Sequence, residues 1–271
     1  MYCDLNIIDP QSTLQSPNDL LELITSAICD GYSILAINHI KTGLVANETI
    51  SKNVELFSNK DNIKKYYEQN CVKFLNGENN HIMNWDNIKI LNRLTIEISE
   101  QKELYQLSCP NNYMKSFDII AVKPMNDKIF ESCLSSEINC DIIVLNFDVK
   151  YSFMSKKHLI TSSLEKGVFY EVEYGKFVTN NESRGVFISN FLLFNDIIKG
   201  KNLIISSGAE NYFMHRSPFD ITTVFETIFE LKHDIIKPMI CENCQKVILK
   251  CIQRKYYKTT VNININNTYK Q

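Results

Sequence analysis

The stretch Lys199-Gly200-Lys201-Asn202-Leu203-Ile204-Ile205-Ser206-Ser207-Gly208-Ala209-Glu210 decides how this chain is read. It runs from a charged turn through a short, wholly apolar segment into small polar residues. Leu203 to Ile205 shows no polar alternation, the pattern of a parallel strand buried on both faces. A long helical pattern precedes it, and another follows past Arg216. A buried strand between two helices is one unit of a β/α repeat.

Working outward, the same unit recurs. Tyr2 to Ile8 reads as a first strand. Pro17-Asn18-Asp19 opens a helix with Leu20, Leu21, Ile24, Ala27 and Ile28 on its apolar face, and Gly31 follows its end. Ser33 to Asn38 is a second buried strand. Residues 42–87 interrupt the rhythm: they are rich in Asn and Lys, hold scattered aromatics (Tyr66, Tyr67, Phe74, Trp85), and allow a helix over Val54 to Tyr67. So long a connection reads as a partly irregular insertion. Further strands are expected at Ile88 to Ile98, Phe117 to Val122 (stopped by Pro124), Asp141 to Phe147 and Val168 to Tyr174. Helices are expected at Gln101 to Leu107, Asp127 to Leu134, His158 to Lys166, Ser183 to Ile198, Asp220 to Leu231 and Ile235 to Gln253. Tyr256 to Ile265 adds a candidate terminal strand, and residues 262–271 are a low-complexity tail. The expectation is α/β: one closed or nearly closed barrel of seven or eight mostly parallel strands over residues 1–261. An open doubly wound sheet is the alternative.

Composition bounds the function. A chain of 271 residues with 44% hydrophobic content has the material for one sizeable core. The net charge of −2 gives no global positive field, so any basic site is local. The N-terminus lacks the basic and apolar regions of a signal peptide, and no apolar run approaches membrane-spanning length. Nine cysteines in that setting read as reduced thiols. Cys241 and Cys244, with Cys251 beyond them, invite a zinc reading but lack a second cysteine pair or a spaced histidine pair.

In a β/α barrel the chemistry sits at the carboxyl ends of the strands. Here those ends carry Asn6, Asn38-His39, Thr95 or Glu97, Lys123, Asn146 with Asp148, Tyr174, and Ser206-Ser207. His39 is the one histidine among them, and Asn38-His39 suits a hydrogen-bonded strand terminus better than a base. Neither a nucleophile elbow nor a phosphate-cradling glycine loop is present. Arginine is scarce: Arg93, Arg184, Arg216 and Arg254 are the four in the chain. An Arg kept against a lysine-rich background suits a bidentate phosphate contact or a structural ion pair.

Gly31 to His39, Ile88 to Ser99, Phe117 to Pro124, Gly167 to Tyr174, Lys199 to Glu210 and Arg216 to Asp220 together resemble the thirty-kilodalton protein subunit of eukaryotic ribonuclease P, shared with ribonuclease MRP. The blocks occur in that family's order over most of residues 1–231. The resemblance implies a TIM-like barrel related to the PHP phosphoesterases but without their metal site. It implies a non-catalytic subunit, without cofactor, metal or catalytic residue. The particle's RNA would remove the 5′ leader from precursor tRNA, with a parallel role in pre-rRNA processing. Implied partners are the ribonuclease P and MRP RNAs, precursor tRNA indirectly, a small ferredoxin-like subunit and other particle proteins, with no membrane. The implied location is nucleus and nucleolus. Arg93, Arg184, Lys199, Lys201, Arg216 and Arg254, the last followed by Lys255, match basic positions of the family and are the candidate RNA contacts. Two other readings compete: a metal-dependent phosphoesterase on the same barrel, and an inactive barrel that binds protein alone.

Overall fold

Every residue of the strand Leu203–Ser206 is buried, as its unbroken apolar run requires. A computed structural model describes residues 1–9, 17–43, 60–74, 85–107, 112–135, 140–149 and 157–256. Seven strands appear among them: β1 Tyr2–Ile8, β2 Tyr32–Thr42, β3 Lys89–Ile98, β4 Ile119–Pro124, β5 Ile142–Leu145, β6 Phe169–Glu173 and β7 Leu203–Ser206. They lie side by side in chain order, and every neighbouring pair is parallel. The helices are α1 Pro17–Cys29, α2 Lys60–Phe74, α3 Gln101–Leu107, α4 Asn112–Ser116, α5 Asp127–Ser135, α6 Lys157–Glu165, α7 Gly175–Thr179, α8 Arg184–Ile198, α9 Pro218–Ile228, α10 His233–Ile240 and α11 Glu242–Tyr256.

The first and last strands meet at one parallel bridge, Ile7 to Ala209, with Ile8 N donating to Ala209 O at 2.9 Å. Side chains complete the seam. Asp4 Oδ1 accepts from Ser207 N at 3.1 Å, and Ser207 Oγ donates to Asn6 O at 3.1 Å. The result is a nearly closed, TIM-like barrel, so the closed reading holds and the open sheet falls away.

Two cores follow from the two faces of the strands. Outside, Phe147, Phe187, Phe191, Phe194, Phe225 and Phe229 interlock between the strands and helices α8 and α9, with ring centroids 4.7–6.2 Å apart. Edge-to-face pairs, which predominate here beside the stacked Phe225 and Phe229, stabilise beyond their burial alone. Inside, Cys3, Leu5, Ile34, Ala36, Ile119, Ile142, Val144, Phe169 and Ile204 form a layer against which Cys244, Val247 and Cys251 of α11 pack. That helix is pinned to the amino-terminal strand ends: Asn243 Nδ2 donates to Leu203 O at 2.8 Å, and Arg254 Nε reaches Asp141 at 3.0 Å. The amino-terminal end of the barrel is thereby covered.

Several boundaries differ from expectation. The closing helix is two: α10 runs through Pro238 to Ile240, and Cys241 leaves helical geometry before α11 begins. Ser217 starts α9 earlier than the apolar pattern indicates, its side chain accepting from Asp220 N with Pro218 in the first turn. β4 includes Pro124 as its last residue, where its missing donor is least felt. In the insertion, helix α2 lies later than Val54 to Tyr67, and residues 54–59 lie outside those described. The candidate terminal strand also lies outside them, except Tyr256, which ends α11.

Candidate nucleic-acid interface

At the carboxyl-terminal mouth, where a barrel enzyme keeps its catalytic groups, the polar side chains are bonded to one another. Asn38 Nδ2 donates to Asn6 Oδ1 at 2.7 Å, Thr95 Oγ1 donates to Asn38 Oδ1 at 2.7 Å, and Asn6 Nδ2 donates to Glu173 Oε1 at 2.8 Å. Lys123 lies 3.5 Å from Glu173 and 3.7 Å from Glu97. The Glu173 carboxylate raises the Lys123 ammonium above its ordinary value, outweighing burial, and Glu97 adds to it. Burial pushes Glu173 upward, but Lys123, Lys176 and the Asn6 amide outweigh that and hold it low. Both groups are therefore charged at neutral pH, each the other's counter-ion. His39, the lone histidine expected at a strand end, pairs through Nδ1 with Asp9 at 2.9 Å. Among the described residues no group of three or more His, Cys, Asp or Glu is placed to hold a metal ion. Cys241, Cys244 and Cys251 are buried; Cys241 is pushed upward by burial, as is Cys251, and Cys244 is raised by a hydrogen bond with Cys3 and by burial.

The six candidate RNA contacts do not converge on one face. Arg93 is the largest correction: its exposure is 0%. It points into the barrel and donates to Glu171 Oε1 at 2.6 Å, to Leu5 O at 2.7 Å and to Thr95 Oγ1 at 3.0 Å. No phosphate reaches it there. Arg254, half-buried, donates through Nε to both Asp141 oxygens at 3.0 Å and through Nη2 to Asp118 O at 2.7 Å. Its neighbour Lys255 pairs with Asp118 at 2.7 Å. These two fasten α11 over the barrel end.

Arg184 opens α8 and donates to the carbonyls of Phe177 and Val178 at 3.1 and 3.2 Å, its guanidinium 5.5 Å from the centre of the Phe177 ring. Arg216 has its peptide clamped, with Tyr32 Oη donating to its carbonyl at 3.1 Å and its own N donating to Tyr174 Oη at 3.1 Å. Its Nη1 donates to Phe213 O and His215 O at 2.7 and 2.6 Å. Lys199 and Lys201 alone among the six are exposed, flanking the turn before β7. They share a cleft with Lys246 of α11, a residue the sequence patterns did not single out.

A family model described as RNase P subunit p30 matches residues 1–256. The chain belongs to that family.

Curated relatives agree. Ribonuclease P protein subunit p30 of Mus musculus is 29% identical over 236 residues, 86% of this chain and 81% of the mouse protein. Ribonuclease P/MRP protein subunit RPP1 of Saccharomyces cerevisiae is 22% identical over 234 residues, 84% of this chain and 73% of the yeast protein. Protein GAMETOPHYTE DEFECTIVE 1 of Arabidopsis thaliana is 31% identical over 175 residues, and the chain covers 30% of that longer protein. Among solved structures, a chain of an archaeal ribonuclease P bound to mature tRNA superposes with a TM-score of 0.63 at 14% identity, covering 99% of this chain and 100% of that one. At that identity the likeness shows the barrel fold alone.

Proposed function

We propose that the chain is a non-catalytic protein subunit of ribonuclease P and of ribonuclease MRP, supporting an RNA that performs 5′-leader removal from precursor tRNA. The observation that carries the non-catalytic part is the mouth network. Inside the barrel Arg93 forks onto Glu171, and Lys123 lies against Glu173 and Glu97, so among the described residues these charged groups are engaged with one another instead of with a substrate. Family membership carries the rest. Neither a cofactor nor a metal enters this reading.

In the same proposal the direct partners are the particle's RNA, a small ferredoxin-like protein subunit and other particle proteins, and precursor tRNA is met indirectly. The location is nucleus and nucleolus. Among the described residues no helix is long and apolar enough to cross a membrane, and no membrane is invoked. With Arg93 inside the barrel and Arg254 holding α11, the RNA-facing candidates reduce to Lys199, Lys201, Arg184 and Arg216.

The experiment is affinity recovery of the full chain from cells, followed by sequencing of its RNA and assay of the eluate on precursor tRNA. The expected result is ribonuclease P RNA with leader-cleaving activity that nuclease treatment of the RNA abolishes. Activity on precursor tRNA or a phosphoester that survives removal of the RNA would return the phosphoesterase reading.

A further inference from the structure

A cleft of about 400 Å³ opens at the amino-terminal end of β7, between the Lys199–Asn202 turn, α10 and the first turn of α11. Lys199, Lys201 and Lys246 line it, with Asp234 and Glu242 opposite. Three ammoniums against two carboxylates leave the lining net positive in a chain whose total charge is −2. Apart from these, its lining includes the apolar Leu164, Ile235 and Pro238 but no aromatic side chain.

The turn that presents two of the lysines is held from every side. Lys199, Gly200 and Asn202 have φ of 51°, 73° and 51°. Glycine adopts that region freely and asparagine tolerates it, whereas a lysine gains nothing from it. Asn195 Oδ1 accepts from Gly200 N at 3.1 Å, and Asn243 Nδ2 donates to Gly200 O at 3.3 Å. A Cβ on Gly200 would lie 2.8 Å from Ile235 Cγ2, so α10 packs directly on this backbone. Strained backbone that its surroundings over-determine is a feature of ligand-holding sites. Lys199 and Lys201 form no side-chain hydrogen bond or ion pair with the described residues. Lys246 has a 3.5 Å contact with Asn243 Oδ1. The backbone carrying Lys199 and Lys201 is thus fixed by the fold, while their ammoniums are left outside any ion pair with the described residues.

We infer that this cleft binds the phosphodiester backbone of the particle's RNA, with Lys199, Lys201 and Lys246 as the cationic contacts. The inference rests on the subunit reading above and names the site through which it acts. Lysine supplies a point charge instead of a planar fork, and a lining without aromatic rings offers no base a stacking surface. Such a site positions RNA and does not read its sequence. It also places this phosphate contact at the amino-terminal end of the barrel, beside the α11 cover, away from the carboxyl-terminal mouth.

The test uses the full chain and the RNA recovered with it, comparing Lys199→Ala, Lys201→Ala, Lys246→Ala and the triple variant with Lys102→Ala, an exposed lysine on α3. Each cleft variant should make the slope of log affinity against log salt shallower by roughly 0.7–0.9, and the triple variant by about three times that. Melting temperature should not move, and lysine-to-arginine versions should keep the slope. Lys102→Ala removes the same charge and should leave the slope unchanged. Slopes that match wild type, or that change equally in Lys102→Ala, overturn the cleft. A fall in melting temperature that accounts for the lost affinity overturns it too. If wild type recovers no ribonuclease P RNA, the subunit reading fails. If it does and the triple variant binds as wild type, the cleft alone fails.

Discussion

Arg93 on β3 reaches across the inside of the barrel to Glu171 on β6, both side chains fully buried and joined by two parallel hydrogen bonds, one of them 2.6 Å. The strands are three apart in the sheet, so this fork spans the barrel's interior instead of linking neighbours. Leu5 O and Thr95 Oγ1 accept from the same guanidinium, tying β1 and β3 into the pair.

Arg93→Ala leaves the Glu171 carboxylate buried without its partner and should destabilise by about 3–5 kcal/mol. Replacing both residues with apolar side chains of similar volume should recover most of that loss. Denaturant midpoints on the single and double variants check it. A single variant that melts like wild type while shifting the salt slope of RNA binding would restore Arg93 as an RNA contact.

Arg254→Ala strips the guanidinium contacts to Asp141, a carboxylate that is 1% exposed and also accepts from Ile120 N at 2.8 Å. The expected cost is about 1–3 kcal/mol, with α11 loosened from the barrel end. Arg254→Lys should recover part of it, since charge survives and the fork does not. Thermal melting and amide exchange along residues 242–256 read the effect, while the salt slope for RNA should stay where it is.

His215 is buried between Asp4 at 3.5 Å and Asp30 at 3.4 Å. Burial pulls its pKa down, but the nearby Asp30 and Asp4 carboxylates outweigh that and hold it above its ordinary value. Burial likewise raises Asp4, and His215 with Ser207 outweighs it to hold Asp4 low. A raised histidine stabilises fully below its unfolded value near 6.5 and stops doing so as pH climbs through the folded one. A lowered carboxylate stabilises above about 3.9 and stops as pH falls through its folded value. Stability should therefore be greatest between these limits and decline on the alkaline side. His215→Gln should flatten that alkaline decline, as urea midpoints measured from pH 5 to pH 9 would show.

Gly200→Ala meets two obstacles at once: φ of 73° and a Cβ placed 2.8 Å from Ile235 Cγ2. It should destabilise by about 1 kcal/mol or more. Because the same turn carries Lys199 and Lys201, RNA affinity should fall with it. Ile235→Ala relieves the contact but not the backbone strain. Combined with Gly200→Ala, it should recover part of the lost stability, read as melting temperature.

The strand content was open to a reader of the sequence because each barrel strand is a local signal. Ile142 to Leu145 and Leu203 to Ile205 are apolar without alternation, which a strand buried on both faces demands, and their shortness and turn-rich flanks set them apart from a buried helix. The helices were legible from apolar spacing, and their boundaries failed where one residue overrules the pattern, as Cys241 does after α10 and Ser217 does before α9. The family was legible too, because its blocks are short runs in a set order.

The meaning of the basic residues was not legible. The charged turn around Lys201 predicts exposure, but the strand around Arg93 leaves open whether that charge is buried at 0% exposure or offered to a partner. What separates them is Glu171, 78 residues further on, which waits across the barrel for one and not for the other. Lys246 carried no motif at all and enters the cleft because Asn243 ties α11 to β7. Sequence by itself determined the repeating strand and helix, since burial pattern is a property of neighbouring residues. Only the closed barrel decided which charges are satisfied inside and which remain for a partner, since that depends on side chains that meet after the chain has folded.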